Sequence, residues 1–221
     1  MWLNLVTIFG TAFVVALTGA LIPGPLLAVT IGESVRRGAL AGPLLIVGHA
    51  ILEAVLLGLL ALGLAALLKN AAVISAIALA GGAVMCWMGW SVVRSSRHLK
   101  LSLDEAGPRK AMHPVVAGVV MSLANPYWLI WWATIGLSYV AMGLRFGLLG
   151  VVVFFAGHIS ADFAWYTLVS VGVAKGRRFM SDRVYRGLLT ACGCALIGFG
   201  IWFLASGAQS ALPCVRQAML H

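Results

Sequence analysis

Two copies of a short motif place a histidine and a carboxylate four residues apart within apolar stretches. The first pair is His49 and Glu53, and the second is His158 and Asp162. On a helix, residues four apart lie on the same face. Because such groups are costly to place within a membrane and usually mark a substrate or proton path, the two pairs predict a central site that binds a substrate or transfers a proton.

The same four side chains leave two other interpretations open. Two imidazoles and two carboxylates are suitable ligands for a divalent transition metal, provided that all four converge at about 2.0–2.2 Å from one ion. They would also serve an enzyme of the membrane interior, either by holding a catalytic metal or as acid and base. The sequence contains no convincing nucleophile motif, and we expect no enzyme.

The composition indicates an integral membrane protein. Of 221 residues, 62% are hydrophobic and 10% are charged, with a mean hydropathy of +1.03. A soluble domain has about 25% charged residues. The net charge of +9 does not indicate nucleic-acid binding, because the basic residues lie between apolar runs. The four cysteines have neither the spacing of a zinc site nor that of a disulfide framework.

Six apolar stretches are long enough to span a bilayer, which takes about 20 residues each. We place them at roughly 2–34, 39–68, 71–93, 114–140, 147–173 and 187–207. They form a single membrane domain, with one repeat over 1–93, a cytoplasmic loop over 94–113, a second repeat over 114–207 and an outer tail over 208–221. Residues 1–35 contain no Lys or Arg, so we expect the first stretch to be a retained span.

The distribution of basic residues predicts the orientation. Twelve of the 15 Lys and Arg residues follow the first, third and fifth stretches, and three lie on the other side. Positive charge collects on the cytoplasmic side, which places both termini outside a prokaryotic plasma (inner) membrane. Because each half has three spans, the second half would be inverted relative to the first, as in many secondary transporters.

Prolines interrupt two of the stretches. Pro23, Gly24 and Pro25 lie in the first stretch, and Asn125 and Pro126 lie in the fourth. Proline removes a backbone donor and breaks or kinks a helix. Each break lies about 16 Å of helix from one end of its stretch, near the midplane of a bilayer about 30 Å thick. Half-helix N-termini at this depth would form walls of a cavity and favour a carboxylate.

Three tryptophans follow the second break on one helical face. They are Trp128, Trp131 and Trp132. Aromatic faces attract cations, so these rings could stack on a cationic substrate. Anchoring at the membrane interface or packing is the other interpretation.

With these features, the sequence resembles the LysE/RhtB family of small bacterial amino-acid exporters over almost its whole length. The resemblance rests on Pro23-Gly24-Pro25 leading into Arg36-Arg37-Gly38, on Glu53, on Asn125-Pro126 and on Asp162. It implies the export of amino acids or related small metabolites from the cytoplasm. The resemblance also implies that the proton or membrane potential drives transport, with no organic cofactor.

Two features depart from the family pattern. Many members have Asn-Pro-Lys at the second break, whereas Tyr127 follows Pro126 here. His49 and His158 are also not part of the pattern, and the wider superfamily includes transporters of divalent metals. A metal-ion transporter that uses His49, Glu53, His158 and Asp162 is therefore the alternative. We expect an all-helical secondary transporter that works by alternating access. The sequence does not determine which small molecule is transported or whether the protein forms a homo-oligomer.

Overall fold

The structure, a computed structural model, describes residues 2–60, 71–96, 112–176 and 181–218, with side chains as far as residue 209. Within these ranges, every regular element is a helix. The elements are α1 (Trp2–Ala20), α2 (Pro25–Arg37), α3 (Ala41–Leu59), α4 (Ala71–Ser96), α5 (Pro114–Leu123), α6 (Pro126–Trp131), a π-helical turn (Trp132–Gly136), α7 (Leu137–Leu144), α8 (Gly147–Gly176) and α9 (Asp182–Ala218). Most of the predicted cytoplasmic loop, residues 97–111, lies outside the described residues.

Within the described ranges, six helices are long and apolar enough to cross a membrane, in agreement with the predicted all-helical class and its six spans. They are Trp2–Ala20, Ala41–Leu59, Ala72–Ser96, Pro126–Leu144, Gly147–Gly176 and Asp182–Gln209. The fourth span differs from the predicted 114–140. Its first part is a separate ten-residue helix, α5, and the span-length helix starts at Pro126 and continues to Leu144 because the apolar run ends only at Arg145.

The last helix is longer at both ends than the predicted 187–207. It begins at Asp182 because the Ser181 hydroxyl accepts a hydrogen bond from Val184 N at 3.3 Å and so caps the first turn. It continues to Ala218, so that most of the predicted tail, 208–221, is helical. At Gly207, where the predicted span ends, the missing side chain lets the helix stay packed on α4, since a Cβ there would lie 3.0 Å from a Leu79 carbon.

Two helix interruptions face each other inside the molecule. The chain from Leu21 to Gly24 separates α1 from α2, and Ala124 and Asn125 separate α5 from α6. Both following helices begin with proline, whose fixed φ suits a first helical turn. A Cβ on Gly24 would lie 3.4 Å from Asn125 Nδ2, so the two interruptions are in contact.

Glycines bring the helix backbones together. Helix α3 packs on α5, where a Cβ on Gly48 would lie 1.9 Å from the Val115 carbonyl oxygen and a Cβ on Gly118 would lie 1.9 Å from that of Leu45. Helix α1 packs on α8 in a similar way at Gly157. Helix α4 packs along α9 through further glycines. Small residues at these contacts allow the close approach that is common between membrane helices.

The outer surface is apolar. Large side chains such as Trp87 (70% exposed) and Leu148 (77% exposed) point away from the protein. Because a bilayer solvates such side chains and water does not, this surface suits contact with lipid. Among the described residues, the buried acidic and histidine side chains are His49, Glu53, His158 and Asp162.

Candidate functional site

A cavity lies between the two helix interruptions. It is open on one side, and the space between its walls, including the solvent at its mouth, amounts to about 710 Å³. Gly24 and Asn125 line it from the two interruptions, and the four motif side chains line it as well. The remaining lining residues are Ala16, Gly19, Ala20, Ile22, Pro23, Leu26, Met85, Ser122, Tyr127, Trp128, Trp131, Tyr166 and Phe199.

Glu53 lies at the centre of the polar cluster. Its carboxylate is 1% exposed, and Oε1 lies 3.1 Å from His49 Nε2 on the same helix. His158 Nε2, which α8 supplies, lies 3.1 Å from Oε1 and 3.0 Å from Oε2. The two motifs, 109 residues apart in the chain, are thus joined through one carboxylate.

Two tryptophans hold the same carboxylate from a third direction. The indole N–H groups of Trp128 and Trp132 each donate a hydrogen bond to Glu53 Oε1, both at 2.9 Å. The two rings project from successive turns, and Trp132 begins the π-helical turn, a feature that is frequent at functional sites. These donors stabilise negative charge on a carboxylate that is buried.

Ser122 fixes the orientation of the His49 ring. Its hydroxyl donates to the Gly118 carbonyl oxygen at 2.7 Å and lies 2.7 Å from His49 Nδ1. The hydroxyl is thus the hydrogen-bond partner of Nδ1, and which of the two donates depends on the tautomer of the ring. The contact between His49 Nε2 and Glu53 is a hydrogen bond when Nε2 or the carboxylate carries a proton.

Asp162 is held less tightly than Glu53. Its Oδ2 atom lies 3.6 Å from His158 Nε2 and 3.8 Å from His49 Nε2, and it accepts no hydrogen bond although it is buried. His158 Nδ1 is also buried without a hydrogen-bond partner. The Trp131 ring covers His158, with ring centroids 4.6 Å apart. The cluster thus keeps unused polar atoms at the cavity.

Comparisons with known proteins agree with this architecture. The family model described as "LysE type translocator" matches residues 17–207. This chain belongs to that family. It is 32% identical to the "Chemotactic transduction protein ChpE" of Pseudomonas aeruginosa over 75% of this chain and 84% of that one. It is 25% identical to the "Uncharacterized membrane protein PA4757" of the same organism over 88% and 91% of the two chains. No solved structure matches the chain.

Membership of the LysE type translocator family makes this protein a multi-pass membrane transporter of small molecules in a prokaryote. The family consists of transporters and not enzymes. The resemblance found in the sequence is therefore confirmed.

The translocator brings all four motif residues to one place, with ligand atoms within 4.8 Å of one another. Pro23, Gly24 and Asn125 line the same cavity. Pro25 and Pro126 are buried behind it, at the start of their helices. Of the three tryptophans, Trp128 and Trp131 line the cavity and Trp132 is fully buried behind it.

Sequence reasoning missed several residues of the translocator's site. Ser122 orients a motif histidine, and Tyr166, Met85 and Phe199 complete the walls from three other helices. Ser122 carried one signal, as a hydroxyl in an apolar run three residues before Asn125. The other three look like ordinary span residues, and only the fold brings them to the cavity.

The cluster also has the ligand types of a transition-metal site. Ligands at about 2.0–2.2 Å from a tetrahedral ion lie roughly 3.3–3.6 Å from one another. Of the six distances among the four donor atoms, the four between an imidazole nitrogen and a carboxylate oxygen range from 3.0 to 3.8 Å, and all donor atoms lie within 4.8 Å of one another. Ser122 supports His49 as the outer partner of a metal-bound histidine does. Imidazoles and carboxylates are ligand types that divalent transition metals bind.

Proposed function

We propose that this translocator exports amino acids or related small metabolites from the cytoplasm in exchange for protons, by alternating access. One observation carries the proposal: the two His-carboxylate motifs meet in one cavity between two interrupted helices. Charged groups are expensive within a membrane, and clusters of this kind mark substrate paths and proton relays. A site at the junction of broken helices is the usual plan of secondary transporters.

An inverted repeat is part of the proposal, and the packing supports it. Helix α1 packs on α8 as α5 packs on α3, and α2 packs on α3 as α7 packs on α8. In the described chain, the positive-φ glycines are Gly38 and Gly147, which lie eleven residues before the two motif histidines. Corresponding elements of two halves are expected to have corresponding partners and turns. The orientation with both termini outside the inner membrane belongs to the same proposal.

The proton route follows from the hydrogen bonds of Glu53. The proton shared between His49 Nε2 and Glu53 is the one that can be exchanged, because these two groups lie 3.1 Å apart and both line the cavity. Asp162, with a free buried oxygen next to both imidazoles, is the second carrier. A proton that enters at one carboxylate would leave through the other as the two halves move.

Transport into proteoliposomes tests the proposal. With an imposed pH gradient, wild-type protein is expected to move a mixture of radiolabelled L-amino acids at a rate that rises with the gradient. Glu53→Gln or Asp162→Asn keeps the shape of the side chain, and at least one of them should abolish the pH-driven flux in a folded protein. Asp182→Asn is the matched control, because Asp182 is 46% exposed at the start of α9. Undiminished pH-driven flux in both cavity variants would refute the proton role.

A transported transition metal is the second candidate. It is favoured by the distances of 3.0–3.8 Å between the imidazole nitrogens and the carboxylate oxygens of the cluster. Ligands that bind only the folded state raise its melting temperature by mass action. A panel of amino acids and divalent metals on purified protein separates the two candidates. Stabilisation by one metal that is lost in both His49→Ala and His158→Ala would replace the amino-acid proposal. Stabilisation by amino acids that survives in these variants would retain it.

A further inference from the structure

We infer that the cavity binds a zwitterionic α-amino acid with an uncharged, apolar side chain. Its carboxylate lies on the first turn of α2 beside Asn125, and its ammonium lies on Asp162. This inference rests on the proposed function and adds the substrate class and its orientation. Three features of the cavity carry it: an uncapped helix start, a buried carboxylate oxygen without a hydrogen bond, and apolar walls.

The start of α2 is an open anion site. Its N-cap residue is Gly24, so no side chain caps the helix, and Pro25 has no backbone N–H. The first-turn amides of Leu26 and Leu27 have no partner within the helix. Helix α6 differs, because Asn125 Oδ1 accepts a hydrogen bond from Tyr127 N at 3.1 Å.

The same capping bond leaves the amide nitrogen of Asn125 free to face Gly24, at 3.4 Å from where a Cβ would lie. A substrate carboxylate would therefore meet backbone donors, a side-chain N–H and the positive end of a helix dipole.

Asp162 is the second, independent observation. The residue is 6% exposed, it lines the same cavity, and its Oδ2 atom accepts no hydrogen bond. The nearest imidazole nitrogens, at 3.6 and 3.8 Å, are too distant for hydrogen bonds. Glu53 also has a buried oxygen without a hydrogen bond, Oε2, but that atom lies 3.0 Å from His158 Nε2, and Oε1 already accepts two indole N–H groups. An ammonium group that enters the cavity would thus donate the hydrogen bond that Asp162 Oδ2 lacks.

The walls define the side chain of the substrate. They are formed by Leu26, Met85, Trp128, Trp131, Tyr166 and Phe199. Among the described residues that line the cavity, none is Lys or Arg. The two imidazoles that line the cavity, His49 and His158, already contact Glu53. The second carboxylate of an acidic amino acid would therefore have no other cationic side chain to pair with. A long cationic side chain would have to lie against the apolar wall, so we expect Leu-like substrates to bind best.

Three ligands of similar size distinguish the contributions of the carboxylate and ammonium ends of the substrate. They are L-leucine, L-leucinamide (which lacks the carboxylate) and 4-methylpentanoate (which lacks the ammonium). Asn125→Asp keeps an oxygen that can cap α6 but brings a negative charge to the carboxylate end. Asp162→Asn removes the charge at the ammonium end without changing its shape. Melting curves without ligand show that each variant is folded, and titration of purified protein gives the affinities.

Each variant should bind L-leucine with an affinity at least ~10-fold lower than that of the wild-type protein, since each loses a charge-assisted hydrogen bond. The affinity for L-leucinamide should be unchanged or higher in Asn125→Asp. The affinity for 4-methylpentanoate should be unchanged in Asp162→Asn. Equal losses for all three ligands, or wild-type affinity for L-leucine in both variants, would overturn the orientation.

Wild-type binding of L-lysine or L-glutamate as tight as that of L-leucine would overturn the substrate class. Flux of the amino-acid mixture in liposomes keeps this test separate from the proposed function. If flux is intact but one of these overturning results is found, only the inference about substrate class and orientation is rejected. If neither flux nor binding of amino acids is found, the proposed transport function is rejected as well.

Discussion

Alanine at Gly48 should force two helices of the site apart. A Cβ at this position would lie 1.9 Å from the Val115 carbonyl oxygen, and real Cβ contacts below 3.0 Å are essentially absent from proteins. Helices α3 and α5 must therefore separate by at least ~1.1 Å, the difference between these two distances, because the obstructing atom is backbone and cannot rotate away. The same movement is expected for Gly118→Ala, whose Cβ would lie 1.9 Å from the Leu45 oxygen.

The separation acts directly on the polar cluster. His49 lies on α3 and Ser122 on α5, with 2.7 Å between Nδ1 and the hydroxyl oxygen. An added ~1.1 Å stretches this contact beyond hydrogen-bonding range, so the ring loses its fixed orientation. Overpacking of this kind costs about 1–3 kcal/mol. At about 2–4 °C per kcal/mol for a chain of this size, the melting temperature should fall by roughly 2–12 °C.

Thermal melting of the purified protein, together with flux in liposomes, measures both effects. Gly58→Ala is the matched control, because it lies on the same helix and a Cβ there would meet no atom within 4 Å. Alanine is the better helix former by ~1 kcal/mol, so the control should melt at the wild-type temperature or slightly above it. A Gly48→Ala protein that melts and transports like the Gly58→Ala control would refute the packing argument.

Three further predictions concern the site and the topology. Trp132→Phe removes one indole donor to Glu53 and should cost about 1 kcal/mol, read as a lower melting temperature in a thermal scan. Ser122→Ala removes the hydrogen-bond partner of His49 Nδ1 and should reduce proton-driven flux at least ~5-fold, whereas the melting temperature should fall by only about 2–4 °C, since one hydrogen bond contributes about 1 kcal/mol. A peptide tag added before Trp2 should be cut by protease added to spheroplasts, in which the outer face of the inner membrane is accessible, and its protection there would contradict an outer N-terminus.

Much of the site could be predicted from the sequence, because it is built from a repeated local pattern. The spacing of His49 to Glu53 and of His158 to Asp162 indicated two polar helix faces, and the fold brings them together. The six spans were predictable from apolar length alone, which depends on bilayer thickness and not on packing. The inverted repeat and the orientation stay predictions.

The partners of the motif residues could not be predicted. Ser122 is 73 positions from His49, and Trp128 is 75 positions from Glu53. No periodicity connects residues so far apart, since their contact depends on which helices pack together. The sequence predicts that the tryptophans stack on a cation, anchor the protein at the membrane interface or pack, whereas two of them donate hydrogen bonds to Glu53. The early start of α9 depended on a serine cap, a signal that the apolar pattern concealed.

Coupling between substrate and proton is the central claim, and one recording tests it most directly. Liposomes that contain the protein, a pH-sensitive dye and an L-amino-acid mixture are diluted into buffer without amino acids at equal pH. With the wild-type protein, the interior should acidify as amino acids leave, and Glu53→Gln or Asp162→Asn should remove this acidification. Efflux of amino acids through the wild-type protein at constant interior pH would contradict the coupling.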